Sequence, residues 1–389
     1  MTFRIRTLNA ISQAGLSRLA ADEFQVSSQV DDPHGLLLRS ASLHGEPIPT
    51  SLLAVARAGA GTNNIPIPDY TARGIPVFNT PGANANAVKE LVVAGIFLAA
   101  RNIVDAATFA HRLEGDHATM DRLVEAGKKN FLGFELPGRT LGVIGLGAVG
   151  VEVANVAISL GMNVLGYDPK VTVEHAWQLS SSVERVTALD QLLRRADIIT
   201  VHIPLVDGTR GLIAGPQFQA MKQSAVLINF ARGPIVDETA LVAALEDNQL
   251  RGYVCDFPTP ALNQRPRVVT LPHLGASTVE AEENCARMAA DQLRDYLSDG
   301  IITNAVNFPT AQLARAEGSR RLAIANQNVP TMVGQISTMV GDTGLNIADL
   351  LNASRGDLAY TVVDIDGEVP PSLIHQLQAV EGVLSARVL

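Results

Sequence analysis

Leu141-Gly142-Val143-Ile144-Gly145-Leu146-Gly147-Ala148-Val149-Gly150 decides the fold. An apolar run suited to a buried parallel strand meets glycines spaced G-x-G-x-x-G, and Val151 to Leu160 then reads as a helix. A second strand, Met162 to Tyr167, ends in Asp168. Strand, glycine turn, helix and acid in that order make a dinucleotide-binding unit. Gly145 allows the tight turn, Gly147 lets a pyrophosphate approach the backbone, and Gly150 lets helix and strand pack closely. Unpaired N–H groups and the dipole at the helix start favour the negative charge. Asp168 is placed to accept from both ribose hydroxyls and would repel a 2′-phosphate, so the expected cofactor is NAD and not NADP.

The chain has 389 residues, 47% hydrophobic and 18% charged, and a net charge of −9. That is enough for two or three globular domains, and the acidic balance argues against nucleic acid or an acidic membrane as partner. Cys255 and Cys285 have neither metal-ligand spacing nor a disulfide framework, so no metal is expected. Nothing apolar enough for a signal core follows the first six residues, and no run has membrane-span length, so a cytoplasmic protein is expected.

Short apolar runs alternate with helical patterns around the glycine loop, predicting a parallel sheet with helices on both faces. In the first 91 residues the strands are expected at Phe3–Leu8, Gly35–Leu38, Leu53–Ala58 and Pro76–Phe78, with a helix over Ile11–Ala20. Residues 85–101 read as a long apolar helix and 102–135 as a polar helical arm. Further strands are expected at Ile198–Ile203, Ala225–Asn229, Gly252–Cys255 and Val268–Leu271, and a helix over 282–300. Residues 310–319 read as a polar linker, and β-α-β-β-α-β patterning follows to the end. The expected architecture is α/β: two Rossmann-like doubly wound parallel-sheet domains and a C-terminal ferredoxin-like domain. The boundaries are 1–91 with 283–310 for a flavodoxin-like substrate domain, 92–282 for the NAD domain, and 320–389 for the last.

Four stretches place polar residues just after a strand, where ligands meet open α/β sheets. They are Val201–Leu205 with Thr209, Ile228–Gly233, Cys255–Pro258 and Leu271–Thr278. Arg232 offers a planar donor fork for a carboxylate. His273 can hold or release a proton near neutral pH, as alcohol–carbonyl interconversion requires beside hydride transfer.

Leu141–Gly150, Gly166–Pro169, Asn229–Pro234, Pro272–Thr278 and Asn304–Pro309 together resemble the D-isomer-specific 2-hydroxyacid dehydrogenases, in particular members carrying a C-terminal ACT domain. The resemblance covers nearly the whole chain. It implies oxidation of the 2-hydroxyl of 3-phosphoglycerate by NAD, the first committed step toward serine. It also implies catalytic roles for Arg232, on the substrate carboxylate and carbonyl, and for His273, on the hydroxyl proton. Gly145, Gly147, Ala148 and Val149 would cradle the pyrophosphate, and Asp168 and Pro169 would flank the adenine ribose. His202, Pro204, Thr209, Phe230, Ala231, Asp256, Gly275 and Ala276 would line the rest of the cofactor cleft, Asp256 near the carboxamide. Arg39 and Arg57 would meet the substrate phosphate, Ala60 and Gly61 its carboxylate, and Lys128 a neighbouring subunit's site. In the ACT domain Asn328 and Asn346 match positions that hold serine in inhibited relatives, and a homodimer or homotetramer is expected.

Two departures stand out. Most members have a glutamate that hydrogen-bonds the catalytic histidine, but Phe257–Val279 contains no Asp or Glu, which leaves Glu280, Glu282 or water as partners. In the ACT domain Asn326 stands where a histidine is frequent, and Thr331 replaces a glycine. Two other functions stay open: a reductase of glyoxylate, hydroxypyruvate or a related 2-hydroxy acid, and a non-catalytic NAD-sensing protein on the same fold.

Overall fold

A computed structural model describes residues 2–316 and 318–389. The chain forms two compact units, Met1–Asn84 with Val279–Leu389, and Ala85–Thr278. The divisions fall at the N-terminal ends of the helices Ala85–Ala100 and Val279–Asp299, not inside them at 91/92 and 282/283. Each helix stays whole because one unit buries its apolar face.

In the second unit seven parallel strands, β6 (Thr140–Ile144), β7 (Asn163–Tyr167), β8 (Val183–Arg185), β9 (Ile198–Val201), β10 (Val226–Asn229), β11 (Gly252–Cys255) and β12 (Val268–Thr270), take the order β12-β11-β10-β9-β6-β7-β8. That is the Rossmann order, with its switch point between β6 and β9. The central strands are buried on both faces, which is why they read as continuous apolar runs. The helix Ala85–Ala100 covers one face through Val88, Val92 and Ile96. Beyond it lie the helices Ile103–His111 and His117–Gly127; the second is polar as expected, whereas the first is largely apolar and leaves Ile103 and Val104 exposed.

The first unit contains two sheets. Strands β1 (Phe3–Leu8), β2 (Phe24–Ser27), β3 (Gly35–Leu38), β4 (Ala54–Arg57) and β5 (Val77–Phe78) are parallel in the order β2-β1-β3-β4-β5, the flavodoxin-like winding. The helix expected over Ile11–Ala20 is one short turn, Gln13–Leu16. Gly15 lies so close to Ala286 that a Cβ would come within 2.6 Å of its backbone, so the turn rests directly on the helix Val279–Asp299. Phe3–Leu8, Gly35–Leu38 and Gly252–Cys255 form strands with the expected bounds, the other expected parallel strands are one or two residues shorter, and β2 and β8 have no counterpart among the expectations.

The C-terminal strands β13 (Arg320–Gln327), β14 (Asn346–Arg355), β15 (Leu358–Asp366) and β16 (Val383–Val388) form an antiparallel sheet in the order β14-β15-β13-β16. With the helices Met332–Asp342 and Pro371–Gln378 they follow the expected β-α-β-β-α-β order. Leu322, Ile324, Val363 and Ile365 meet the helices on one face. On the other face Ala323, Ala325, Tyr360 and Val362 continue the core built by Ile5, Phe78, Leu293 and Tyr296. At this seam Arg321 and Asp364 form a bidentate ion pair at 2.6 and 2.8 Å, side chains 1% and 0% exposed. Arg321 also donates to the carbonyls of Asp299 and Leu313, and the Tyr360 hydroxyl to that of Gly300. The linker is therefore pinned: Ala311 is buried and bridges Ile302, and Arg315 donates to the Ser319 and Leu389 carbonyls.

Candidate active site

The strands of the Rossmann sheet all run the same way, so the loops leaving β6, β7, β9, β10, β11 and β12 gather along one edge. Gly145 leaves β6 at φ +92°, and a Cβ there would strike the His202 carbonyl at 2.6 Å. A Cβ on Gly150 would overlap the Gly145 carbonyl, so helix and strand touch backbone to backbone. Gly147 differs, because a Cβ there would meet no atom within 4 Å. Its smallness serves no packing within the chain, and the open space lies beside the free N–H groups at the start of the helix Ala148–Ser159. Gly147→Ala is therefore expected to melt with the wild type yet bind NAD at least about tenfold more weakly, a loss of about 1.4 kcal/mol. Titration calorimetry checks this, and unchanged affinity would remove the pyrophosphate from Gly147.

Asp168 follows β7 with its carboxylate fixed, accepting from Leu146 N at 2.8 Å and Lys170 N at 2.7 Å. Each oxygen keeps a lone pair for a ribose hydroxyl, and Pro169 follows on the exposed side. His202 lies 2.8 Å from the Thr200 hydroxyl, and burial lowers its pKa to about 3, so it stays neutral. Thr209 is occupied within its own loop, donating to the Pro204 carbonyl and accepting from Val206 N. Open space and unpaired donors at the glycine turn, with a carboxylate at the next strand end, fit an NAD adenosine diphosphate.

Two residues expected at the cofactor cleft turn their side chains inward. Phe230 is 5% exposed and packs on Gly95 of the helix Ala85–Ala100, where a Cβ would meet its ring at 2.9 Å. Its side chain belongs to the core. Asp256, 1% exposed, spends its carboxylate inside the chain, accepting from Leu274 N and Gly275 N at 2.7 Å each. Neighbouring Ala276 is half-buried.

Arg232 follows β10 in a turn held by the buried Asn229, whose amide donates to the Arg232 carbonyl and accepts from Ala231 N. The guanidinium donates to the Ala231 carbonyl at 2.6 Å and has no carboxylate partner among the described residues. Burial lowers its pKa, and a part-buried cation without a counter-ion is ready for an anionic ligand. His273 is exposed at φ +59°, and its ring nitrogens have no hydrogen-bond partner among the described residues. The Phe257 ring stands edge-on to it with centroids 5.3 Å apart. Asn229 and Phe257 went unread because each acts through a turn that local sequence does not reveal.

In the first unit Arg39 and Arg57 leave the adjacent strands β3 and β4, and Arg57 Nε donates to the Arg39 carbonyl at 3.0 Å. Arg39 pairs with Glu282 at 2.7 Å, both partly exposed, so the pair is worth about 1 kcal/mol or less and exchanges readily for a stronger anion. Glu282 is thereby engaged, and Glu280 sits beside it in the first turn of the same helix. The Ala60 and Gly61 amides donate to no acceptor among the described residues, while the Ala60 carbonyl accepts from Asn79. Lys128 lies on the arm, paired with Glu125 and not gathered with the strand-end residues. Asn328 donates to the Gly356 carbonyl and Asn346 to Asp366. The sheet register puts them at opposite ends of β13 and β15, roughly 25 Å apart by strand rise, so one chain cannot join them in one site. Asn326 is buried and bonded to Thr361, and Thr331 holds φ +67° at the start of its helix.

These sites define a dehydrogenase: a doubly wound nucleotide domain with an unpaired arginine and a free imidazole at its ligand-binding edge. Residues 96–275 match the model of the NAD-binding domain of D-isomer-specific 2-hydroxyacid dehydrogenases. D-3-phosphoglycerate dehydrogenase of Haemophilus influenzae is 33% identical over 402 residues, covering 98% of this chain and 94% of that protein. The Escherichia coli K12 protein of the same name is 32% identical, covering 99% and 95%. The NAD+-bound 3-phosphoglycerate dehydrogenase structure from Entamoeba histolytica superposes with a TM-score of 0.62 at 25% identity, covering 79% of this chain and 99% of that one. The chain belongs to the D-isomer-specific 2-hydroxyacid dehydrogenase family, and it is an NAD-dependent dehydrogenase.

Proposed function

We propose that the chain oxidises the 2-hydroxyl of 3-phospho-D-glycerate to 3-phosphohydroxypyruvate, the entry to serine biosynthesis. The observation that carries the substrate is the Arg39–Arg57 pair at adjacent strand ends, cations that an unphosphorylated 2-hydroxy acid would not need. Arg232 grips the carboxylate through two donors and sets the orientation of C2. His273 takes the hydroxyl proton on a ring nitrogen as the carbonyl forms. Arg232, next to the developing carbonyl, favours its oxygen electrostatically. NAD, when bound, supplies the hydride acceptor. Gly145, Gly147, Ala148, Val149 and Asp168 hold its adenosine diphosphate, with His202, Pro204 and Ala276 along the remaining edge.

The C-terminal module reads as an ACT domain. Asn328 and Asn346 can reach one L-serine only if two copies of the chain pair there, which joins the regulatory reading to a homo-oligomer. Lys128 fits the same picture as a donor to a partner's site. A cytoplasmic location is part of the same proposal. NADH formation with 3-phosphoglycerate, compared with a panel of unphosphorylated 2-hydroxy acids, tests the substrate. Equal rates across the panel would overturn it. No inhibition by millimolar L-serine in the same assay would remove the effector.

A further inference from the structure

We propose that Asp256 and Phe257 are the positioning residues of the His273 imidazole, standing in for the carboxylate that Phe257–Val279 lacks. Asp256 gathers three successive amides: its carbonyl accepts from His273 N at 3.1 Å, and its carboxylate from Leu274 N and Gly275 N at 2.7 Å each. Asp256 is 1% exposed and pairs with no cation among the described residues. A carboxylate is costly to bury unless its oxygens are used, so these bonds resist release.

They hold His273 at φ +59°, a conformation that a non-glycine residue keeps only when its surroundings over-determine it. With the backbone set, the Cα–Cβ bond of His273 has one direction. The Phe257 ring, edge-on at 5.3 Å and 64°, then limits rotation of the imidazole about that bond. A glutamate would orient the ring by binding one of its nitrogens. Here the grip is on backbone and ring edge, and both nitrogens stay open to the substrate hydroxyl and solvent.

The proposal rests on His273 being the proton-handling group, so His273→Ala is measured alongside. Steady-state rates with 3-phosphoglycerate and NAD are compared for Asp256→Asn, Phe257→Ala and Phe257→Tyr. Asp256→Asn and Phe257→Ala are expected to lower kcat roughly 10- to 100-fold, with both KM values within about twofold of wild type. Phe257→Tyr, which keeps the ring, is expected to restore most of the rate. The His273 imidazole NMR signals are expected to be single in the wild type and broadened or doubled in the two impaired variants. If Asp256→Asn instead raises KM for NAD and leaves kcat unchanged, Asp256 is a cofactor ligand and the proposal falls. If Phe257→Ala alone keeps full kcat, the ring contact plays no part and the paired assignment falls. Wild-type activity in His273→Ala would overturn the underlying reading as well, and that outcome is distinct from the other two.

Discussion

Arg232→Gln is expected to lower kcat/KM for the 2-hydroxy acid about a thousandfold, a loss of about 4 kcal/mol in transition-state stabilisation. The magnitude follows from two charge-assisted hydrogen bonds, each worth about 1.5–3 kcal/mol when one partner is ionised. The groups that hold the Arg232 turn, the Asn229 amide and the Ala231 carbonyl, are neutral and cannot replace its charge. Arg232→Lys keeps the charge but loses the planar fork, so it is expected to recover only about tenfold of that loss. NAD affinity should be unaffected, since the glycine turn and Asp168 lie on other strands. Initial-rate NADH formation with an independent NAD titration checks both parts. Weaker NAD binding with an unchanged turnover would place Arg232 in the cofactor site.

The second large effect is on stability. Arg321→Met leaves Asp364 charged and buried without its cation, at a cost of about 3–5 kcal/mol. Exchange of both residues, Arg321→Met with Asp364→Leu, is expected to recover most of it. Burial alone raises the Asp364 carboxyl, but hydrogen bonds from Arg321 and Ala316 N, with the Arg321 charge, outweigh that and hold its pKa below the usual carboxylate value. A depressed folded pKa contributes stability fully present above the unfolded value, about 3.9, and lost as pH falls through the folded value. The gap between wild type and Arg321→Met should therefore narrow in acid. Urea unfolding from neutral pH to below about pH 3.9, followed by hydrogen exchange in β13 and β15, measures it. A gap independent of pH would show that the pair is not what the variant loses.

The glycine turn was legible because its three glycines have local causes: a positive φ, a backbone contact and open space. The order of strand, helix and acid at 140–168 was readable for the same reason. The burial of the Phe230 ring is not readable from its neighbours, because what draws it into the core is Gly95, far away in sequence. Asp256 was located correctly at a strand end. Its task depends on a turn 18 residues later, which spacing could not disclose. Ile11–Ala20 carried a helical pattern that loses to close docking of Gly15 on Ala286. Strand β15 is buried without a break from Ala359 to Ile365, Thr361 and Asp364 included, because it is covered on both sides, and those polar residues hide that cover from a reading of the sequence.

That double cover bears on how such a chain can be taken apart or recombined. A regulatory tail joined by a loose tether can be cut off, exchanged or borrowed by another enzyme with little effect on the body. Here Ala323, Ala325, Tyr360 and Val362 are wall material for the N-terminal core, with Arg321 set into the joint. Deleting residues 320–389 would strip an oily surface bare, so the shortened protein should clump and not become a smaller working enzyme. Any inherited change in the tail is at the same time a change in the foundations of the N-terminal parallel-sheet core.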